Sequence, residues 1–412
     1  MDLPEQTAFL LAPGQPDPSI AQAAAAHVER RRKGIFFLGL AVGCVGFAMA
    51  AQSALNTNFL VDEIHISPTR LGLLEAARES CGILAFGLLA LLAGLAEPLI
   101  GAAMLVLLAV GVGSYAFVHS YVPVVLWSLV WSQGLHIWMP LPASMALALA
   151  EPGRAGQRLG QMSAAGAAGA GVSLVLAWLL MEKLHMPLRG VYLLAGAAAL
   201  LAALACAGIP RQIKTPGPRL VFRRAYGLYY ALCFLEGWRK QIFLAFAGFL
   251  LVRQHHARPR DMLALWMAVN VIGWVTAPRV GRLIDRLGER KILTFYFSSL
   301  IWVFAGYALI SNVYVLYALF ILDSSFFVFN TALTTYVNRI APPAEHTATL
   351  SMGVAMNHVA SVTMPFVGGI IWDRLGYQWT FLVGALAAAL AIIAARRIPA
   401  HGGEGGFVRH CG

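Results

Sequence analysis

Residues 30–60 read RRRKGIFFLGLAVGCVGFAMAAQSALNTNFL: a cluster of cations, Arg30, Arg31, Arg32 and Lys33, followed by an uncharged apolar run from Gly34 to Leu60. At about 1.5 Å of rise per helical residue, such a run is long enough to cross the ~30 Å hydrocarbon core of a bilayer. Upstream of the cations, Pro4, Pro13, Pro16, Pro18 and an alanine run offer no apolar core of a cleavable signal peptide. Cations flanking a first span stay on the cytoplasmic side, which places the N-terminus inside and directs this helix outward.

The rest of the chain repeats this pattern. Hydrophobic residues make up 59% and charged residues 12% of the sequence, and mean hydropathy is +0.70, outside the range of soluble globular chains. Long blocks such as Val122 to Leu149 and Val191 to Ala207 read as spanning helices, and runs such as Leu88 to Leu95 lack the alternation of a β-barrel strand. The fold class is therefore an all-α membrane protein. Twelve transmembrane helices are expected at 34–60, 69–95, 97–118, 121–149, 157–181, 188–209, 226–252, 260–280, 291–310, 313–337, 348–371 and 378–397. An even number returns the C-terminus to the cytoplasm, in a bacterial-type inner membrane. Arg253, Arg258 and Arg260 fall on an expected outer segment, against the rule, but cations late in a chain orient it less strongly.

The expected organisation is a cytoplasmic tail (1–33), a six-helix bundle (34–209), a central cytoplasmic loop (210–225), a second six-helix bundle (226–397) and a cytoplasmic tail (398–412). The central loop carries Arg211, Lys214, Arg219, Arg223 and Arg224 without an acid. The net charge of +11 is spread over such segments, where anionic lipid accounts for it and nucleic acid is not required. Among five cysteines, Cys44, Cys81, Cys206 and Cys233 fall within expected helices with no CxxC, so neither a disulfide framework nor a zinc site follows, and no metal or cofactor is expected. The tandem His255 and His256 stand in an outer loop with only Asp261 near them, a weak metal signal.

An internal repeat supports two bundles. The stretch 159–210 can be laid on 350–399, each with a small-residue helix, a short charged loop (Glu182, Lys183 against Asp373, Arg374) and a helix ending Ile-Pro. The offset of about 190 residues is half the membrane region, as two parallel six-helix repeats require. Between expected spans eight and nine stands GRLIDRLGERK, Gly281 to Lys291, which resembles the cytoplasmic G-x-x-x-D-R-x-G-R-K signature of the major facilitator superfamily. Pro365, Phe366, Val367, Gly368 and Gly369 are similar to the end of the eleventh helix of many members. The corresponding first-half loop, Ala93 to Gly101, keeps Glu97 and a glycine but no Arg or Lys, and span five lacks the glycine-proline signature of the antiporters. The resemblance implies a secondary transporter with alternating access. It also implies a gating role for Gly281, Asp285, Arg286, Gly288 and Arg290, with Asp285 pairing a cation or a helix N-terminus to hold one face shut.

Charged residues within a span are costly and ask for a partner or a function. Glu75, Arg78 and Glu79 of span two share one face at i, i+3 and i+4, read either as self-neutralising or as gating. Glu236, Arg239 and Lys240 of span seven have the same spacing with a surplus cation, suited to a carboxylate or phosphate. The superfamily resemblance makes helices one, four, seven and ten line the cavity, which adds Gln52, Asn56, Gln133, His136, Asp323 and Asn330. For proton coupling the candidates are Asp323, which has no cation near it in its own helix, Glu236, His136 and His358. Trp131, Trp138, Tyr229, Tyr230 and Trp238 can pack against an organic substrate.

The expected function is thus proton-coupled transport of a small organic anion by a protein acting as a monomer, with the substrate, protons and the lipid bilayer as partners. Efflux of amphipathic or cationic compounds is one rival. A polytopic membrane enzyme is another, although no HExxH, GxSxG or P-loop is present. A transporter-like sensor is the third.

Overall fold

A computed structural model describes residues 18–214, 222–342 and 345–399. The ends of both expected tails and part of the central loop, Arg219 included, lie outside the described residues.

Twelve helical spans run through the described residues. Span 1 is the helix Pro18–Asn58 continued by a π-helical turn, Phe59–Glu63. Spans 2 to 6 are Pro68–Leu91, Glu97–Ala116, Tyr121–Ala148, Ala155–Leu184 and Leu188–Cys206. Span 7 is Gly227–Ile242, a π-helical turn Phe243–Ala247, and Gly248–His255. Spans 8 to 12 are Pro259–Leu287, Glu289–Leu309, Val313–Ile340, Ala348–Leu375 and Tyr377–Ala395. Ten of these are long and apolar enough to cross a bilayer by composition alone. The remaining two, spans 2 and 7, carry the charge triads, which lower their hydropathy.

Local chemistry sets the ends. Ser67 caps span 2 by accepting from the Arg70 amide, with Pro68 at the first helical position, and Asn312 caps span 10 by accepting from the Tyr314 and Val315 amides. Two expected boundaries are corrected. The signature Gly281 to Leu287 is not a loop but the last two turns of span 8, because Arg, Leu, Ile and Asp continue the helix until Gly288, at φ 75°, reverses the chain into span 9. Likewise Arg30 to Lys33 lie inside the first helix, which the alanine-rich segment before them extends back to Pro18.

The repeat seen in the sequence is built into the packing. Span 1 packs on spans 5 and 6, span 3 on spans 4 and 6, and span 2 on span 4; in the same pattern span 7 packs on 11 and 12, span 9 on 10 and 12, and span 8 on 10. Left-handed turn residues recur at Gly94 and Gly288, and at His185 and Gly376. Tyr115 lies 5.1 Å from Tyr192 between ring centroids, and Tyr307 stacks on Phe381 at 4.9 Å in the equivalent place. The two halves meet where span 2 lies along span 11 and span 5 along span 8.

Candidate functional site

Span 1 ends in a π-helical turn, and three spans are interrupted: 7 by a π-helical turn, 4 by a turn at Met139 and Pro140, and 10 by the 3-10 segment Phe327–Asn330. Such breaks free backbone groups, which membrane proteins tolerate where the segment is buried in protein or lines a cavity. A cavity of about 640 Å³ lies between these four spans and spans 2 and 11, with both halves contributing walls. A second cavity of about 420 Å³ shares His136, Met139 and His358 with the first and continues between spans 2, 4 and 11 past Phe86, Leu89 and Pro140, toward the end of the bundle that bears the termini.

The opposite end is shut. Asp373 near the end of span 11 accepts from the Thr69 amide at 2.9 Å and from its hydroxyl, so a carboxylate of one half seals the positive N-terminus of a helix in the other. Gly72 and Gly369 let spans 2 and 11 touch through their backbones, and Asn58 donates to the Ala257 carbonyl at 2.9 Å. At the termini end Asp285 is exposed and makes no ion pair among the described residues. Among the charged contacts there is Glu289 with Arg339, at 3.3 Å, whose guanidinium also donates to the Pro399 carbonyl. That pair joins spans 9 and 10 within one half.

The span-7 triad divides. Glu236 and Arg239 point into the second half and Lys240 into the cavity. Arg239 is fully buried, donating to Glu236 at 2.6 Å, to Asp323 at 3.1 Å and to the Tyr296 hydroxyl at 2.6 Å, with its guanidinium carbon 4.5 Å from the Phe327 ring centre. Tyr296 in turn donates to Glu236 at 2.9 Å. Two carboxylates thus share one guanidinium in a dry cluster, and Asp323 Oδ2 has no hydrogen-bond partner among the described residues. Lys240 Nζ donates to Asn357 Oδ1 at 2.7 Å, and no carboxylate lies within 4.0 Å of it among the described residues.

The span-2 triad also divides. Arg78 pairs with the buried Glu75 at 2.6 Å and stands over Trp131, 4.4 Å from its ring centre. Glu79 instead reaches across the interface to His358 Nδ1 of span 11, at 3.2 Å. His136 lies beside them, its ring 5.2 Å from that of His358.

Of the residues singled out in the sequence, Gln52, Arg78, Glu79, His136, Lys240, Asn330 and His358 line the cavity. Glu236, Arg239 and Asp323 form the cluster behind it, and Glu75 lies behind Arg78. Asn56 and Gln133 are half-buried outside the lining, each with a polar atom lacking a partner among the described residues. The signature residues are at the termini end, far from the cavity. Sequence reading does not single out Tyr296, because a tyrosine in an apolar helix carries no signal of its own, nor the Asp373 seal, whose partner is a backbone amide.

Residues 229–405, essentially spans 7 to 12, match the family profile of the Major Facilitator Superfamily. The second half of the chain thus resembles the Major Facilitator Superfamily. Its fold is similar to that of a point variant of the nucleoside transporter NupG (TM-score 0.74, 13% identity, covering 88% of this chain and 98% of that one) and of the D-xylose-proton symporter (TM-score 0.67, 13% identity, 89% and 97%). It is also similar to a bacterial homologue of the human lysosomal transporter Spinster, captured inward-facing (TM-score 0.68, 12% identity, 90% and 98%). In sequence it is 29% identical over 125 residues to the multidrug resistance protein MdtG of Proteus mirabilis (strain HI4320). That stretch is 30% of this chain and 31% of the relative.

Proposed function

We propose that this chain is a member of the Major Facilitator Superfamily and a proton-coupled secondary transporter of a small organic anion, working as a monomer by rocking of its two six-helix halves around the central cavity. The observation that carries the reading is Lys240, a cation on the cavity wall whose hydrogen bond goes to a neutral amide. A substrate carboxylate there gains a charge-assisted bond without displacing an existing ion pair. Gln52, Asn330 and Asn357 supply neutral polar contacts, and Trp131 and Tyr229 an apolar wall.

The coupling proton is assigned to the cluster behind the cavity. With Glu236 and Asp323 both ionised against Arg239 alone, the buried cluster carries a net negative charge, which one proton on Asp323 removes. Lys240 follows Arg239 in the chain, so a change in this cluster is felt one residue from the substrate. With the termini placed in the cytoplasm by Arg30 to Lys33, the conformation described is open inward and sealed outward by Asp373.

The test is flux in liposomes with an internal pH dye, presented with organic anions, cations and sugars. Anion-driven proton movement that Lys240→Met and Asp323→Asn each abolish supports the proposal; substrate flux without protons removes the coupling. A second reading, efflux of amphipathic cations, is favoured by the stretch similar to MdtG and by the apolar extension past Phe86 and Leu89. In that reading Glu79 holds the cation, since Glu236 and Asp323 face away from the cavity, and flux with cations alone would select it.

A further inference from the structure

We propose that Glu79, His136 and His358 form a binding site for a divalent transition metal ion of the zinc class, which joins the two halves across the cavity. Their ligand atoms all lie within 4.8 Å of one another, and the set is one carboxylate and two imidazoles, a common zinc donor set with room for a fourth ligand. Tetrahedral coordination with bonds of about 2.0–2.2 Å places ligand atoms about 3.4 Å apart, so an ion draws the three together by side-chain rotation.

Three features mark the site as built. First, the tautomer of His136 is set. Its Nδ1 lies 2.8 Å from the Ser132 carbonyl, which only accepts, so Nδ1 carries the hydrogen and the Nε2 lone pair is left for a ligand. An imidazole held by a backbone carbonyl through its other nitrogen is the usual outer support of a metal-binding histidine. Second, span 2 makes room for the His358 ring. A Cβ at Gly82, one turn beyond Glu79, would fall within the imidazole, so a glycine is required for His358 to reach Glu79. Third, all three side chains are half-buried on the wall of a cavity that continues toward one end of the bundle, which gives an ion a path in.

Glu79 and His136 belong to the first half and His358 to the second. An ion therefore ties spans 2 and 4 to span 11, where a hydrogen bond between Glu79 and His358 already links the halves. Arg78 is occupied by Glu75, which leaves the Glu79 charge to the two imidazoles and to Lys240 on the same wall.

The experiment is calorimetric titration of zinc into tag-free protein in detergent, which reads binding directly and does not depend on substrate flux. One zinc ion per chain is expected, weakened at least tenfold by His136→Ala and by His358→Ala, with a rise in melting temperature on zinc addition that these variants lose. His358→Cys, which replaces an imidazole with a thiolate, retains binding and separates a lost ligand from a misfolded protein. Gly82→Ala, which removes no ligand, weakens binding by displacing the ring. Replacing both His255 and His256 with Ala leaves binding unchanged. No zinc binding, binding unaffected by His136→Ala, or binding lost with the His255 and His256 pair would each overturn the site.

Discussion

Spans 2 and 7 carry nearly the same charge word, Glu75, Arg78, Glu79 in one and Glu236, Arg239, Lys240 in the other, and the fold uses them differently. In span 2 the arginine lines the cavity, mostly buried, paired within its own helix and laid on Trp131, and the third residue crosses to the other half. In span 7 the arginine is sealed among Glu236, Asp323 and Tyr296, and the third residue faces the cavity. A sequence pattern of charges at i, i+3 and i+4 fixes which residues share a helix face. The neighbouring helices decide which of them meets water, a counter-charge or a ligand.

That contrast can be broken most severely at the two arginines. Arg239→Met leaves two carboxylates buried without a cation, a change that costs about 3–5 kcal/mol in buried ion pairs, and the melting temperature in detergent is expected to fall sharply. Arg78→Met leaves one buried carboxylate, Glu75, without its cation directly behind the cavity wall, and the loss is expected to be smaller, about 1–3 kcal/mol. Equal losses in the two variants would erase the distinction between a sealed and a lining arginine.

Lys240→Met is expected to leave folding intact and weaken anion binding by about tenfold to a hundredfold, the worth of a hydrogen bond to a charged group. Tryptophan fluorescence titration reads it through Trp131 on the same wall, and an unchanged affinity would remove Lys240 from the substrate site. The smallest effect is expected at Tyr296→Phe, which removes the hydroxyl bridging Arg239 and Glu236 and lowers stability by about 1 kcal/mol. A larger fall, of the size seen for Arg239→Met, would mean that the tyrosine rather than the salt bridges holds the cluster.

The spans, their two-fold repetition and the polar residues within them are legible in the sequence because apolar length and charge are one-dimensional properties. Asp323 has no cation near it in its own helix, and its partner Arg239 lies on another span, so its pairing is invisible to helical spacing. The surplus cation of span 7 is likewise legible as a count, whereas its identity as Lys240 depends on Asp323 consuming Arg239. The signature at Gly281 to Lys291 points to the superfamily while misplacing itself as a loop, because its two glycines read as turn residues and only Gly288 takes a turn conformation. Glu79, His136 and His358 come from three helices and two halves, so no local spacing unites them.

The most direct test of the proton assignment is substrate-driven proton movement in liposomes containing Asp323→Asn. An asparagine keeps the oxygen that Arg239 contacts and removes the titratable group. Substrate exchange without a gradient should therefore persist while proton movement disappears. Proton movement undiminished in this variant would contradict the assignment of coupling to the buried cluster.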